Sequence, residues 1–274
     1  NGLQYTVINE VHSLLSLKNN DNIIQLHNIV LDNQIISLYL EKYEEDLYNF
    51  MKKRHKLDLY QIGKILMEDI TRGLYIVHTK GWIHCDVKPD NILVKHIDGK
   101  YVFCLADFGS SQIFDVNMLY YSHISVKGYR PPECLNSDNK FIKLTQKADV
   151  FSAGCVFYDF FYANNLEWKK LEDNYLTVDK FHFGFNRKRY PDIIDTELLL
   201  KNKTTKLSAN IYRFMNSCLK INVEERFTST DMYKYLNLKT EIVHNKLNNI
   251  NRGAISNNLD IECVYIGFIW IIKY

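Results

Sequence analysis

The sequence predicts an α+β fold in which one helix and one β-hairpin precede a mainly helical body. Three observations carry this. Residues 5–18 and 58–79 keep apolar positions at helical spacing, two short strand-like runs flank the turn dipeptide Asp98-Gly99, and residues 149–163 are apolar almost all round.

Taken in order, Val7, Val11, Leu14 and Leu15 fall on one face of a helix over 5–18. Residues 23–31 and 35–41 then read as two strands joined at Asp32-Asn33. From 58 to 79, Ile62, Ile65, Leu66, Ile70, Leu74 and Val77 keep helical spacing, with Asp69 the exception among them, and a long amphipathic helix is expected. Ile92 to Val94 and Tyr101 to Leu105 bracket Asp98-Gly99, where glycine accepts a positive φ and closes a tight hairpin. Val150, Phe151, Ala153, Cys155, Val156, Phe157, Phe160 and Phe161 describe a helix buried on every side. Further helices are expected near 207–219 and 229–237, and a weaker one at 238–249.

Composition narrows the function classes. The formal charge of +2 is too balanced for nucleic acid or an anionic membrane to be the main partner, and the cluster Lys52, Lys53, Arg54 and Lys56 reads as a solvated face. Six scattered cysteines without a CxxC pair argue against a disulfide scaffold or zinc site. No signal-peptide pattern and no run of about 18 apolar residues occurs, so an intracellular chain, cytoplasmic or nuclear, is expected. The triplet Asn202, Lys203 and Thr204 matches a glycosylation sequon, a pattern common by chance.

The chemistry concentrates in IHCDVKPDNILV at 83–94 and CLADFGS at 104–110. Phosphoryl transfer needs a carboxylate to orient the attacking hydroxyl, a cation near the transferred phosphate and oxygen ligands for magnesium. Asp86, Lys88, and the pair Asn91 and Asp107 supply these types, and the two short strands carry the last pair toward each other.

These segments resemble the catalytic loop HRDxKxxN and the DFG motif of eukaryotic protein kinases. GYRPPECL at 128–135 is similar to the segment that ends the activation loop, KADVFSAG at 147–154 to the start of the buried central helix, and CLKINVEERFTSTDMYKYL at 218–236 to the closing pattern. EVHSLL at 10–15 resembles the regulatory helix and SLYLEKYEEDLYNFM at 37–51 the strand, hinge and helix that follow, nearest to cyclin-dependent-kinase-like domains. The resemblance runs over roughly residues 5–237.

The resemblance implies a two-lobed fold whose small lobe, residues 1–41, is reduced to the helix and hairpin. It places a hinge at 42–46, a large lobe at 47–240 and an extension at 241–274. It also implies serine/threonine kinase activity with ATP and Mg2+, Lys88 in particular marking the serine/threonine type. A protein substrate and room for an activating or regulatory protein follow from the same likeness.

Carried over residue by residue, Asp86 and Lys88 are catalytic and Asn91 and Asp107 hold metal. Leu40 (the gatekeeper), Glu41, Tyr43, Asp46 (toward ribose) and Leu93 bind the nucleotide. Leu14, Leu26, His84 and Phe108 form the regulatory spine. Glu133 pairs with Arg226, and Asp149 anchors the catalytic-loop backbone.

The sequence also departs from the pattern. It contains no GxG and no lysine before Glu10, the glutamate that would pair with it, and it starts with Asn1. Two readings follow: a fragment of a longer kinase whose first strands lie upstream, or a pseudokinase that acts as a regulatory binding module. Cys85 replaces the HRD arginine that clamps a phosphorylated loop, and Val126 stands where a hydroxyl residue faces Asp86 and Lys88. Tyr120, Tyr121, Ser122 and Ser125 read as exposed polar loop residues, with phosphorylation sites the alternative, and the apolar tail at 262–274 is too short to cross a membrane.

Overall fold

A computed structural model of the chain describes residues 5–32, 35–53, 59–121, 129–135, 141–162 and 209–238. Helix α1 (Tyr5–Ser16) buries Val7 and Leu14, but Leu15, expected on the same face, is exposed. The buried stripe instead takes in the polar Asn9 and Ser13, which apolar spacing alone does not reveal. Asn9 donates to the Ser111 carbonyl at 3.0 Å, and Ser13 donates to the Asn9 carbonyl at 2.7 Å, so neither is left unpaired.

Strands β1 (Leu26–Asp32) and β2 (Ile35–Leu40) form the first hairpin, antiparallel, with Asp32 opposite Ile35 at the turn. The segment before β1 closes onto the body. Leu105 N donates to Asn22 O and Ile24 N to Leu105 O, both at 2.9 Å, while the Asn22 amide reaches Phe103 O at 3.1 Å.

The central sheet has three strands in the order β3 (Glu45–Asp46), β5 (Ile92–Ile97), β6 (Lys100–Leu105). The β5–β6 hairpin turns at Asp98 (φ 49°) and Gly99 (φ 79°), two successive positive φ values that match the right-handed strand twist. The outer edge of β6 is engaged at Phe103 and Leu105: Asn22 and Ile24 pair with it there, and the Asp69 carboxylate accepts Phe103 N at 3.0 Å.

Asp46 caps helix α2 (Leu47–Lys53), its Oδ1 accepting Asn49 N at 2.7 Å. Helix α3 (Leu59–Thr79) runs 21 residues and buries Ile62, Leu66, Met67, Ile70, Leu74 and Val77, with Asp69 buried among them. Strand β4 (Trp82–Ile83) follows and pairs with β7 (Gln112–Ile113), which closes the loop between them. Strand β8 (Tyr120–Tyr121) pairs with β9 (Phe141–Ile142), on either side of helix α4 (Pro132–Leu135).

Helix α5 (Lys147–Tyr162) is the pillar expected from its apolar sequence, with Phe151, Val156, Phe157 and Phe160 fully enclosed. Each such side chain contributes roughly 1.5–3 kcal/mol by leaving water. Helices α6 (Ala209–Cys218) and α7 (Ser229–Tyr235) pack against it and α3. A capping box starts α7: Asp231 N donates to Thr228 Oγ1 at 3.1 Å, and Thr228 N donates to Asp231 Oδ2 at 2.9 Å.

Small sheets around a helical body make this a two-lobed α+β fold. Five cysteines in the described residues are buried thiols outside any disulfide, and no helix there is long and apolar enough to cross a membrane. Val126, Ser122, Ser125, the sequon, the helix expected beyond 238 and the tail at 262–274 lie outside the described residues.

Candidate active site

The loop between β4 and the 3-10 turn at Pro89–Asn91 is held from beneath by one acid. Asp149, at the start of α5, accepts His84 N at 2.7 Å, Cys85 N at 2.9 Å and His78 Nε2 at 2.9 Å. Burial works to raise its pKa, but the His78 hydrogen bond and the nearby His84 outweigh burial and hold the carboxyl below its ordinary value. The hold matters because Cys85 has φ 68°, a left-handed conformation that costs a non-glycine residue about 1 kcal/mol or more.

Asp86 follows immediately and is buried. Its Oδ2 accepts Lys88 Nζ at 2.6 Å and Asn91 Nδ2 at 2.8 Å, and the same Asn91 amide also reaches the Asp86 carbonyl at 2.9 Å. Its Oδ1 is buried without a hydrogen-bond partner among the described residues. A buried carboxylate oxygen left unpaired costs stability unless something visits it, so Oδ1 is the free acceptor of the site.

Asn91 also joins this loop to the next motif, since Ala106 N donates to Asn91 O at 2.9 Å. Asp107 comes next, at φ 58°, with one weak bond from Gly109 N to its Oδ1 at 3.4 Å. Among the described residues the Asp107 carboxylate is therefore almost uncommitted to protein donors. Phe108 turns inward, fully buried, and its ring lies 4.6 Å from that of His84. His84 Nδ1 accepts Asp86 N at 3.3 Å and its Nε2 faces Ala106 O at 3.1 Å, a pattern that requires the proton on Nε2. Leu14, Leu26 and Phe108 belong to one continuous core, with His84 against Phe108.

Glu10 on α1 lies within electrostatic reach of Asp107. Burial first, and the charge of Asp107 second, push its carboxyl up to about 7.

On the hinge side, Leu40 closes β2 opposite Leu26 and packs on the core. Glu41 N is already bonded to Gln25 O at 2.9 Å, and the Glu41 carboxylate pairs with Lys95. The Tyr43 side chain is buried, with Lys95 Nζ 4.5 Å from its ring centre. Asp46 stands opposite Leu93 in the β3–β5 ladder, and both of its oxygens are engaged by Asn49, at 2.7 and 2.8 Å. The fold thus joins Asp86, Lys88 and Asn91 directly, Asp107 through the Asn91–Ala106 bond, and Leu93 to Asp46 across the sheet.

Three further residues serve this region without having been singled out from sequence: His78, Ser229 and Lys95. Each is an isolated polar residue in an amphipathic stretch, where nothing in the spacing marks a role. Cys85 lies in a small apolar cluster with Ile83, Tyr120, Cys134, Leu144 and Ala148, and burial pushes its thiol pKa up, so no cation stands at this position. Tyr120, expected to be exposed, is also buried there because its hydroxyl donates to Ile113 O at 2.8 Å.

The acidic residues suit a hard cation. Among the described residues no cluster of three His, Cys, Asp or Glu forms a metal cage. Magnesium in phosphoryl-transfer sites does not need one, because it takes one or two carboxylates and completes its shell with water and phosphate oxygens. Asp107, nearly free of donors, and the amide oxygen of Asn91, whose nitrogen is turned to Asp86, fit that demand.

The family model for the protein kinase domain matches residues 2–236. The chain is 37% identical over 159 residues to MAPK/MAK/MRK overlapping kinase of Mus musculus, which covers 57% of this chain and 36% of that protein. It is 32% identical over 157 residues to cell division control protein 2 homolog 2 of Trypanosoma brucei brucei, 57% of this chain and 44% of the relative. Serine/threonine-protein kinase ICK of Rattus norvegicus is 31% identical over 149 residues, 54% of this chain and 23% of the relative. The chain thus matches less than half the length of these relatives. Among solved structures, the crystal structure of the yeast RNA Pol II CTD kinase CTDK-1 complex is similar with a TM-score of 0.62 and 20% identity, covering 85% of this chain and 80% of that one. At that identity the likeness speaks for the fold.

Proposed function

The chain belongs to the protein kinase domain family, and from that premise we propose that it transfers the γ-phosphate of ATP to a serine or threonine hydroxyl of a protein. The observation that carries the proposal is the free, buried Oδ1 of Asp86, with Lys88 and Asn91 fastened to the other oxygen of the same carboxylate. A lone acceptor held rigidly in this way orients an incoming hydroxyl and takes its proton as the oxygen–phosphorus bond forms and the ADP oxygen leaves. Lys88, beside Asp86, offsets negative charge on the moving phosphoryl group. Asn91 and Asp107 hold Mg2+, which when bound neutralises charge on the β- and γ-phosphates.

On the nucleotide side, the reading assigns adenine to the backbone of Glu41 to Tyr43 and to Leu93, with Leu40 as gatekeeper and Asp46 toward ribose. Asp46 already caps α2, so any ribose contact is shared with that cap. A regulatory protein belongs to the proposal too, because the solved kinase of similar fold is described as a complex.

One observation favours the second reading, a pseudokinase that acts through its surface. Glu10 lies within electrostatic reach of Asp107 and takes part in no ion pair among the described residues, where no cation draws the two acids onto a nucleotide. Transfer of labelled γ-phosphate to a mixed protein acceptor separates the two. Activity in the unaltered chain that disappears in both Asp86→Asn and Asp107→Asn supports the kinase. Equal incorporation by all three removes the catalytic assignment, and magnesium-dependent nucleotide binding without transfer selects the pseudokinase.

A further inference from the structure

His78 stands near the end of α3 with both ring nitrogens engaged. Its Nε2 lies 2.9 Å from Asp149 Oδ2, and its Nδ1 lies 2.9 Å from Ser229 Oγ on α7. The three side chains form a continuous, buried chain of polar groups, His78 at 7%, Asp149 at 1% and Ser229 at 3% exposure.

The partners dictate where the protons sit. Asp149 already accepts two backbone amides, from His84 and Cys85, and an ionised carboxylate has only acceptor capacity. The imidazole must therefore offer it the hydrogen on Nε2. In the neutral ring this leaves Nδ1 as a lone pair, and a lone pair sealed from water needs a donor. Ser229 is the donor within reach.

Ser229 has no other duty visible at its position. It is the first residue of α7, but the capping box of that helix is supplied by Thr228 and Asp231 on either side of it. An alanine would serve the helix equally well.

We propose that Ser229 is a positioning residue for the catalytic loop, whose hydroxyl donates to Nδ1 of His78, holds the ring with its Nε2–H on Asp149 and, through Asp149, steadies the backbone on which Asp86 is mounted. The link runs from α7 to the active site through three side chains, Ser229 to His78 to Asp149, and ends on the amides of His84 and Cys85. Cys85 needs such a hold, since its φ of 68° is unfavourable for a residue with a side chain. The inference rests on the reading of Asp86 as the catalytic carboxylate only for its effect on rate; the tautomer and the loop restraint stand apart from it.

The test combines ring-nitrogen NMR, amide exchange and kinetics on the full chain. In the unaltered chain, His78, assigned by the loss of its signals in His78→Asn, shows a pyrrole-like Nε2 and a pyridine-like Nδ1. In Ser229→Ala Nε2–H stays on Asp149 but the Nδ1 lone pair loses its donor and its resonance shifts, the ring holds Asp149 less firmly, and the His84 and Cys85 amides exchange faster while those of α6 do not change. Phosphoryl transfer falls about fivefold in kcat at constant KM for ATP, the loss of one neutral hydrogen bond of about 1 kcal/mol. Ser229→Thr, or Ser229→Cys where the extra methyl does not fit, restores the Nδ1 resonance and the amide protection in whole or part. A protonated Nδ1 in the unaltered chain, as the other tautomer or as imidazolium, overturns the proposal. So does Ser229→Ala with an unchanged Nδ1 resonance and unchanged exchange. If no variant transfers phosphate, the kinase reading falls while the NMR and exchange results still decide this one.

Discussion

Arg226 and Glu133 meet in a two-point ion pair, Nη1 to Oε1 at 2.7 Å and Nη2 to Oε2 at 2.9 Å, with the guanidinium sealed from solvent. The rest of the fork is used as well. Nε donates to Lys220 O at 2.9 Å, Nη1 also donates to Lys147 O at 3.0 Å, and the guanidinium lies over the Phe151 ring at 4.9 Å. One side chain thereby ties α4, the start of α5 and the turn before α7. Arg226→Ala takes its donors from a partly buried carboxylate and from the Lys220, Lys147 and Ile221 carbonyls, and about 3–5 kcal/mol of unfolding free energy is expected to disappear in urea titrations. Arg226→Lys recovers little, because an ammonium cannot reproduce the planar fork. A lysine variant as stable as the parent would show that the geometry of the pair is immaterial.

Asp69 makes stability depend on pH. Burial raises its carboxyl to about 6, against the opposing effects of the Phe103 amide, Arg72 and Asn22. A carboxyl whose pKa is higher in the folded than in the unfolded chain contributes most when protonated. Its contribution is full below about 4 and is lost as pH rises through about 6. The amide that replaces it in Asp69→Asn does not titrate. The stability of Asp69→Asn relative to the parent should therefore climb by roughly 2–3 kcal/mol between pH 4 and pH 7 and stay level above that. Parallel curves for the two proteins across this range would remove the argument.

Gly73 sits where α3 crosses the segment before β1. A Cβ there would come within 2.9 Å of the Asn22 carbonyl oxygen and 2.9 Å of Leu105 Cδ1. Leu105 can turn aside, but Asn22 O is backbone and is bonded to Leu105 N. Gly73→Ala gains about 1 kcal/mol of helix propensity and is expected to lose up to about 2 kcal/mol net, since overpacking costs about 1–3 kcal/mol and the β6 edge must shift. Thermal unfolding of this variant beside an exposed control, Gln61→Ala, measures the net effect.

The elements that could be read from sequence are those whose signal is local. The 58–79 helix announces itself by period, the β5–β6 hairpin by Asp98-Gly99, and α5 by uninterrupted apolar residues, and each forms close to its expected bounds. The Arg226–Glu133 and Asp149 contacts were legible through motif resemblance alone, because their partners lie 93 and 64–65 residues away along the chain. What stayed hidden are polar residues inside apolar stripes. Asn9 and Ser13 turn α1 so that Leu15 faces outward, and Asp69 completes a sheet edge from the buried side of α3. Ser229 and His78 carry no spacing signal at all, since their relation exists only after α7 docks on α3.

Asn91 faces two demands, and a single substitution separates them. Its amide nitrogen donates to both the carbonyl and Oδ2 of Asp86, leaving its oxygen for a cation. Asn91→Ala removes two donors to Asp86, whereas Asn91→Asp also sets a second carboxylate where the distance to Asp86 Oδ2 is now 2.8 Å. Like charges this close cannot both ionise freely, so the new acid keeps its proton to a higher pH in the folded state than in the unfolded one. Its penalty therefore grows as pH rises. Asn91→Asp should unfold at lower urea than Asn91→Ala, by about 1–3 kcal/mol at pH 8 and by less at pH 5. Magnesium should narrow the gap, because two oxygens of an aspartate at this position bind a hard cation better than a methyl group does. Identical urea midpoints for the two variants at both pH values, with and without magnesium, would mean that the Asn91 amide neither steadies Asp86 nor faces the metal.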